Sequence, residues 1–515
     1  MRVLFLYPNI ARNRSPQVGL SSLAGTLKRE GHEYRLFDIT FLEDSEIAEA
    51  YQRTLIEFDP DVIGVSCRST EWKTAQSILG MAEPGAPVMV GGPHATIAPD
   101  EVMADGRVDM LVRGEGELAI LDVLERLETG SDLSDVPNLW LKREDGEIVR
   151  NDLRDLIQDL DSLAMPAWDM WDDRHFEEHY HQVFYEGAEI FGDLETSRGC
   201  PYSCPYCLTP VMQELYRGKG RYHREKSPER VIAEVRKLQA DRNIDYVRFV
   251  DETFILNRKR LRKICELYRE ISLPFSFSTR PETVDDETME LLAEVGAKCV
   301  AFGLESGNEE YRREMLNRKT KQQEIFDAVE ICKRYGVKTF AFVMMGLPHE
   351  KREQIQDTLE LINNLQPDVF QITIFYPFQG TPFYNYCIAE DLLDPDYEPL
   401  TEIWKGSVLK QPQFTSEYLI RLRKLALTFA KRNRRWMPVM EFLEHHPAAF
   451  SLWQKGLRAK SLGGKVGDLV SVSGKHVNGN GNGNGNGNGN KGGIGSTAGV
   501  PVSSDERETV VVGKS

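Results

Sequence analysis

Along the first 145 residues, short runs of apolar and β-branched residues alternate with stretches whose apolar positions recur every three or four residues. Val3-Leu4-Phe5-Leu6-Tyr7 predicts a strand, Leu20 to Arg29 a helix, Tyr34-Arg35-Leu36-Phe37 a strand and Ile47 to Phe58 a helix. Val62 to Ser66 and Val88 to Gly91 predict two more strands, each followed by a helix, and Met110-Leu111-Val112 precedes a last helix through Leu127. Strands this apolar, joined by helices, predict a doubly wound parallel sheet that binds its ligand at the carboxyl ends of the strands.

Residues 146–190 carry prolines and mixed polarity, as in Met165-Pro166-Ala167-Trp168, and predict a linker packed across two domains. The alternation resumes over 191–400, with strands expected at 192–196, 246–250, 275–279, 299–303, 339–344 and 370–375. Six such βα units predict an open or partial barrel with its chemistry at the strand C-termini. Residues 401–462 read as a helical region. The remainder, 463–515, loses the pattern, and Asn and Gly alternate from 478 to 490, so this tail is expected to be disordered.

At 515 residues the chain has room for about three globular units. Its 41% hydrophobic and 28% charged residues exclude global disorder, and a net charge of −17 argues against a general nucleic-acid binder. No apolar run is long enough to span a bilayer, and the start lacks the pattern of a signal peptide, so a cytoplasmic protein is expected. Eight cysteines are too sparse for a disulfide framework, and three of them fall between Cys200 and Cys207.

Those three form Cys200-Pro-Tyr-Ser-Cys204-Pro-Tyr-Cys207, a C-x3-C-x2-C loop directly after the first predicted barrel strand. Three thiolates at this spacing can hold three irons of a [4Fe–4S] cluster and leave the fourth open to an exogenous ligand. Zinc is the competing reading. It wants a fourth protein ligand, and only His223 stands downstream. Cys67, Cys265, Cys299, Cys332 and Cys387 are scattered among apolar residues and read as buried structural thiols.

In the first domain, Val90-Gly91-Gly92-Pro93-His94-Ala95-Thr96 follows one strand and Arg113-Gly114-Glu115-Gly116-Glu117 the next. Glycines there let the backbone approach a bulky ligand, while the G-x-G-x-x-G dinucleotide fingerprint is absent after the first strand. His175, His179 and His181 form an H-x3-H-x-H array that either binds a metal or belongs to a plain polar helix, the second reading being preferred.

The cysteine loop after the first strand of a partial barrel resembles the signature of radical S-adenosylmethionine (SAM) enzymes. Val250-Asp251-Glu252-Thr253-Phe254, Phe277-Ser278-Thr279-Arg280-Pro281-Glu282-Thr283 and Gly303-Leu304-Glu305-Ser306-Gly307 end the next three strands. Met345-Gly346-Leu347-Pro348 and Gly380-Thr381-Pro382 follow in the same order. With the glycine turns ahead of it, the whole is similar to the radical SAM family that carries a cobalamin (B12)-binding domain.

That resemblance implies a Rossmann-like cobalamin domain over 1–145, a 146–190 linker and a partial (β/α)6, TIM-like radical SAM barrel over 191–400. It implies cluster ligation by Cys200, Cys204 and Cys207, and SAM contacts from Tyr206, Asp251, Glu252, Ser278, Arg280 and Glu305. Cobalamin contacts would come from Ser66, Gly91, Gly92, His94, Gly114 and Glu115. The element D-x-H-x-x-G is missing, so no histidine is expected on the lower face of cobalt.

The implied reaction is methylation of an unactivated carbon of a small molecule. The 5′-deoxyadenosyl radical would abstract hydrogen, methylcobalamin would supply the methyl, and a reductant such as flavodoxin or ferredoxin would supply electrons. Three alternatives stand beside it: an oxidative cyclase of the anaerobic magnesium-protoporphyrin ester type, an RNA methylthiotransferase and a non-catalytic cobalamin sensor. Methylthiotransferases need further N-terminal cysteines, and the first domain has only Cys67. Near the end, apolar residues recur at helical spacing from Tyr418 to Phe429, and 421–435 is basic without an acidic residue. Such a helix can lie on an anionic membrane or pack on the barrel, and packing is the preferred reading.

Overall fold

Two mostly parallel sheets, each covered by helices, account for most of the computed structural model, which describes residues 1–177, 187–394, 397, 400, 406–429, 442–443, 446–453 and 510–511. The first sheet contains β1 (Arg2–Tyr7), β2 (Glu33–Asp38), β3 (Val62–Ser66), β4 (Val88–Gly91), β5 (Met110–Val112), β6 (Leu139–Lys142) and β7 (Ile148–Arg150). Its order is β2-β1-β3-β4-β5-β6-β7, parallel through β5 and antiparallel beyond. The winding reverses between β1 and β3, which opens a crevice at their carboxyl ends. Helix Ile47–Phe58 shows why the pattern was legible: Ile47, Ala50, Tyr51, Leu55 and Phe58 are its buried positions.

The β6–β7 hairpin carries the first sheet to Arg150, beyond the boundary expected at 145. Its strands are too short to show alternation. What holds them is the ring of Trp140, which is buried and stacked by the guanidinium groups of Arg113 and Arg150.

The second sheet contains β8 (Phe191–Leu194), a two-residue clip of β9 (Ser197–Arg198) with β10 (Arg224–Glu225) beside it, then β11 (Tyr246–Phe249), β12 (Phe275–Thr279), β13 (Ala297–Glu305), β14 (Lys338–Met345) and β15 (Val369–Ile374). The order β15-β14-β13-β12-β11-β8 is parallel throughout, and β8 does not pair with β15, so the barrel is open as expected. β16 (Val510–Val511) pairs antiparallel with β15, and the rest of the expected tail lies outside the described residues. Phe191, Tyr246, Cys299, Ala301, Phe340 and Val369 cluster to fill the lower lumen. Helix Pro228–Arg242 is typical of the outer ring. Ser227 caps it by accepting from the Arg230 N–H at 3.1 Å, Pro228 starts it, and Asn243 ends it in the left-handed region.

The linker straps the two units together. Trp171 Nε1 donates to Ser21 Oγ at 2.8 Å, and Arg242 of the barrel donates to the carbonyls of Trp168 and Trp171. Helix Ser416–Phe429 buries Tyr418, Leu419, Leu422, Leu425 and Ala426, and Arg423 Nε donates to the Ile372 carbonyl at 2.7 Å. Its apolar face is therefore spent on the barrel rather than on a membrane, while the basic residues of 430–435 lie outside the described residues. Among the described residues no helix is long and apolar enough to cross a membrane.

Candidate functional site

The cysteine loop leaves the β9–β10 clip at the open mouth of the barrel. Cys204 is buried, while Cys200 and Cys207 are partly exposed. Arg280 Nη1 lies 3.9 Å and Arg318 Nη1 4.0 Å from Cys204 Sγ, and the Thr209 N–H donates to Cys207 Sγ at 3.5 Å. Guanidinium and amide donors around sulfur suit the net negative charge of a thiolate-bound cluster. His223 is committed elsewhere: Nδ1 is 2.7 Å from the Gly199 carbonyl and Nε2 3.6 Å from Glu225. It does not complete a zinc set. Among the described residues no three His, Cys, Asp or Glu side chains surround a single ion; a cubane needs only one thiolate per iron. The donor set fits the cluster.

Of the residues expected around SAM, Asp251 has a different occupation. Its buried carboxylate accepts from the Thr196 N–H at 3.1 Å, from Thr196 Oγ1 at 2.9 Å and from Ser197 Oγ. It pins the segment that enters the cysteine loop, and burial nonetheless holds it above the usual carboxylate range. Replacing Asp251 with Ala leaves those donors unpaired at a cost of about 3 kcal/mol. The expected result is a lower Tm and iron lost on gel filtration; unchanged Tm and iron would disprove the pinning role.

Glu252 is exposed at the mouth, and Ser278 is half-buried on β12. Arg280 pairs with Glu282 and stacks on the Tyr202 ring at 3.8 Å. Glu305 is 3.7 Å from Arg318, which also donates to Tyr206 Oη at 3.1 Å, and burial pushes the Glu305 carboxyl up. Arg318 is a residue the sequence reading missed. It sits in a polar loop with no marker beyond Asn317-Arg318-Lys319-Thr320.

A cavity of about 560 Å³ opens at the β1/β3 crevice and reaches the barrel. On the first domain it is lined by Ser66, Gly91, Gly92, Gly114 and Glu115, all expected there, and on the barrel by Asp193, Glu195, Arg198, Arg248 and Val250. An apolar slot made by Phe5, Leu20, Leu23, Gly64, Met89 and Val112 extends along the sheet. Gly92 has φ +89°, and a Cβ there would stand 3.0 Å from Ser66 Oγ. At Gly114, φ +74°, a Cβ would collide with the Tyr216 hydroxyl. Such bare turns above an apolar slot fit a large flat cofactor.

His94 corrects the expectation. The short helix Gly92–Ile97 turns it inward, where it is buried, 3.2 Å from Ser69 Oγ and pushed down to about 4 by burial. It does not line the cavity. His175 is also buried, with Nδ1 2.6 Å from the Arg14 carbonyl and Nε2 2.6 Å from Asp38; His179 and His181 lie outside the described residues. Among the described residues no histidine lines the cavity.

The two halves meet in a carboxylate–arginine network that the sequence did not announce. Arg198 reaches Glu195 at 2.8 Å, Glu117 at 2.7 Å and Glu115 at 3.3 Å, and Arg224 reaches Glu115 at 2.9 Å. Burial alone would raise Glu117, but Arg198 outweighs it and holds the carboxyl below its usual range.

Residues 194–362 match the radical SAM superfamily and residues 11–124 the B12 binding domain. An uncharacterized methyltransferase of Pyrococcus horikoshii is 30% identical, covering 87% of this chain and 95% of its own. The anaerobic magnesium-protoporphyrin IX monomethyl ester cyclase of Rubrivivax gelatinosus is 25% identical over 73% of this chain and 68% of its own. The radical S-adenosylmethionine methyltransferase TsrM of Kitasatospora setae, solved with cobalamin and a [4Fe–4S] cluster bound, shares the fold. Its TM-score is 0.60 at 20% identity, over 76% of this chain and 75% of that one. The chain belongs to the family of radical SAM enzymes that carry a B12-binding domain.

Proposed function

We propose that this chain is a cobalamin-dependent radical SAM methyltransferase that methylates an unactivated carbon of a small molecule. The observation that carries the reading is the shared cavity: glycine turns of the first domain form one wall, and the other belongs to strand ends that lead into the cysteine loop. Homology to a protein named as a methyltransferase over nearly its full length supports it. When bound, the cluster with SAM supplies a 5′-deoxyadenosyl radical and cobalamin supplies a transferable methyl group.

The chain's own residues bind and orient. Cys200, Cys204 and Cys207 hold iron, and Arg280 and Arg318 offset the negative charge gathered at Cys204. Tyr206, Glu252, Ser278, Arg280 and Glu305 are the residues we assign to SAM, with Asp251 positioning the loop. Ser66, Gly91, Gly92, Gly114 and Glu115 are assigned to cobalamin, and Phe5, Met89, Val112 and Val250 exclude water from the cavity. A reductant of the flavodoxin or ferredoxin kind supplies electrons.

The test needs no substrate. Anaerobic holoprotein given SAM and a low-potential reductant should form both S-adenosylhomocysteine and 5′-deoxyadenosine, the former only when cobalamin is present. Formation of 5′-deoxyadenosine alone would replace methyl transfer with the cyclase reading, because oxidative ring closure uses SAM only as the radical source.

A further inference from the structure

We propose that Arg248, oriented by Asp193, is the receptor for an oxyanion on the substrate, so that the substrate is a carboxylate- or phosphoryl-bearing small molecule. The assignment names the substrate class for the reaction proposed above and rests on that reading for the chemistry alone. Asp193 on β8 and Arg248 on β11 are register partners on neighbouring strands, and both side chains line the interdomain cavity. Arg248 Nε donates to Asp193 Oδ1 at 2.8 Å and Nη2 to Oδ2 at 2.5 Å, a two-point clamp that fixes the guanidinium plane. Asp193 is 5% exposed and Arg248 27%. Among the described residues Nη1 has no hydrogen-bond partner.

The other cations of this cavity are occupied or belong to the opposite wall. Arg198 has all its nitrogens on Glu195, Glu115, Glu117 and Ser22. Arg68 is clamped by the buried Glu71 on the first domain, beside the glycine turns. Glu195, the other carboxylate that the barrel wall gives the cavity, is paired with Arg198 at 2.8 Å and Lys226 at 4.0 Å. Arg248 is thus the cation that the barrel wall itself turns to the cavity with an edge to spare.

A half-buried ion pair contributes little to stability that apolar side chains would not supply equally well. It does hold a planar donor stiffly in the cavity wall. An oxyanion entering the cavity sheds its hydration and must recover hydrogen bonds; the Nη1–Nη2 edge offers two parallel donors for it. Asp193 neutralises the guanidinium, so the receptor does not leave a lone charge before an oxyanion binds.

Binding tests this on the anaerobic, cluster- and cobalamin-loaded full chain by calorimetry. The probes are phenylphosphonate and benzoate, with benzamide as the neutral counterpart, and the better-bound anion tells phosphoryl from carboxylate. The variant joins Arg248→Gln to Asp193→Asn, so that no buried charge is left alone and the fold is spared. The expected result is anion binding weakened about tenfold or more with benzamide unchanged, and an intermediate loss in Arg248→Lys, which keeps the charge without the fork. Equal anion affinity in wild type and variant, or no anion binding to wild type, would overturn the receptor. Failure of the methyl-transfer reading shows separately, in the substrate-free SAM products, and leaves these affinities untouched.

Discussion

Removing all three loop thiols, as Cys200→Ala with Cys204→Ala and Cys207→Ala, is expected to take the reconstituted protein from about four irons per chain to almost none. The iron–sulfur absorbance and all 5′-deoxyadenosine formation should go with them. The reason is local: no other three cysteines stand close in the sequence, and burial pushes Cys265, Cys332 and Cys387 up to about 12, so they stay thiols. Cys332→Ala is the matching control and should keep its iron. A triple variant with full iron and absorbance would move the cluster elsewhere.

The second large effect is expected at Gly92. A valine there must adopt φ near +89°, a strain of about 1–3 kcal/mol, and its Cβ meets Ser66 Oγ at 3.0 Å and the Cys67 backbone at 3.2 Å. Gly92→Val should therefore lose cobalamin by about a hundredfold in affinity while retaining iron, since the strain is confined to the first domain. Cobalamin absorbance retained through gel filtration measures it. Gly106→Val, at an exposed turn where a Cβ meets nothing within 4 Å, should bind as wild type. Undiminished uptake by Gly92→Val would place the cofactor away from these turns.

Features written in neighbouring residues were readable without coordinates. The strands β3, β4 and β5 and the helix Ile47–Phe58 stand at the residues their apolar spacing announced, and the cysteine loop is a contiguous motif. Roles set by the curling of the open barrel sheet were not readable. Asp251 stood out as an acidic strand end, but only its register against β8 decides that it faces the Thr196 amide. Arg318 lies more than a hundred residues from Cys204 and meets it through the curvature of the sheet. His94 stands in a glycine turn that suggests ligand contact, yet the helix starting there carries it into the core. Arg248 reads in sequence as one charge in an otherwise apolar strand, and its clamp by Asp193 exists only across two strands.

The grip of Arg198 and Arg224 on Glu115 has a thermodynamic consequence. The two arginines are cross-strand partners in the clip that delivers the cysteine loop, and Glu115 belongs to the turn that borders the wall we assign to cobalamin. Ordering either side of this junction pre-pays part of the conformational entropy of the other. Iron–sulfur assembly and corrinoid uptake are then linked equilibria, and linkage makes their mutual effect reciprocal: the factor by which one tightens the second is the factor by which the second tightens the first. A cell that lacks one of the two nutrients should find the other held less firmly by the same chain.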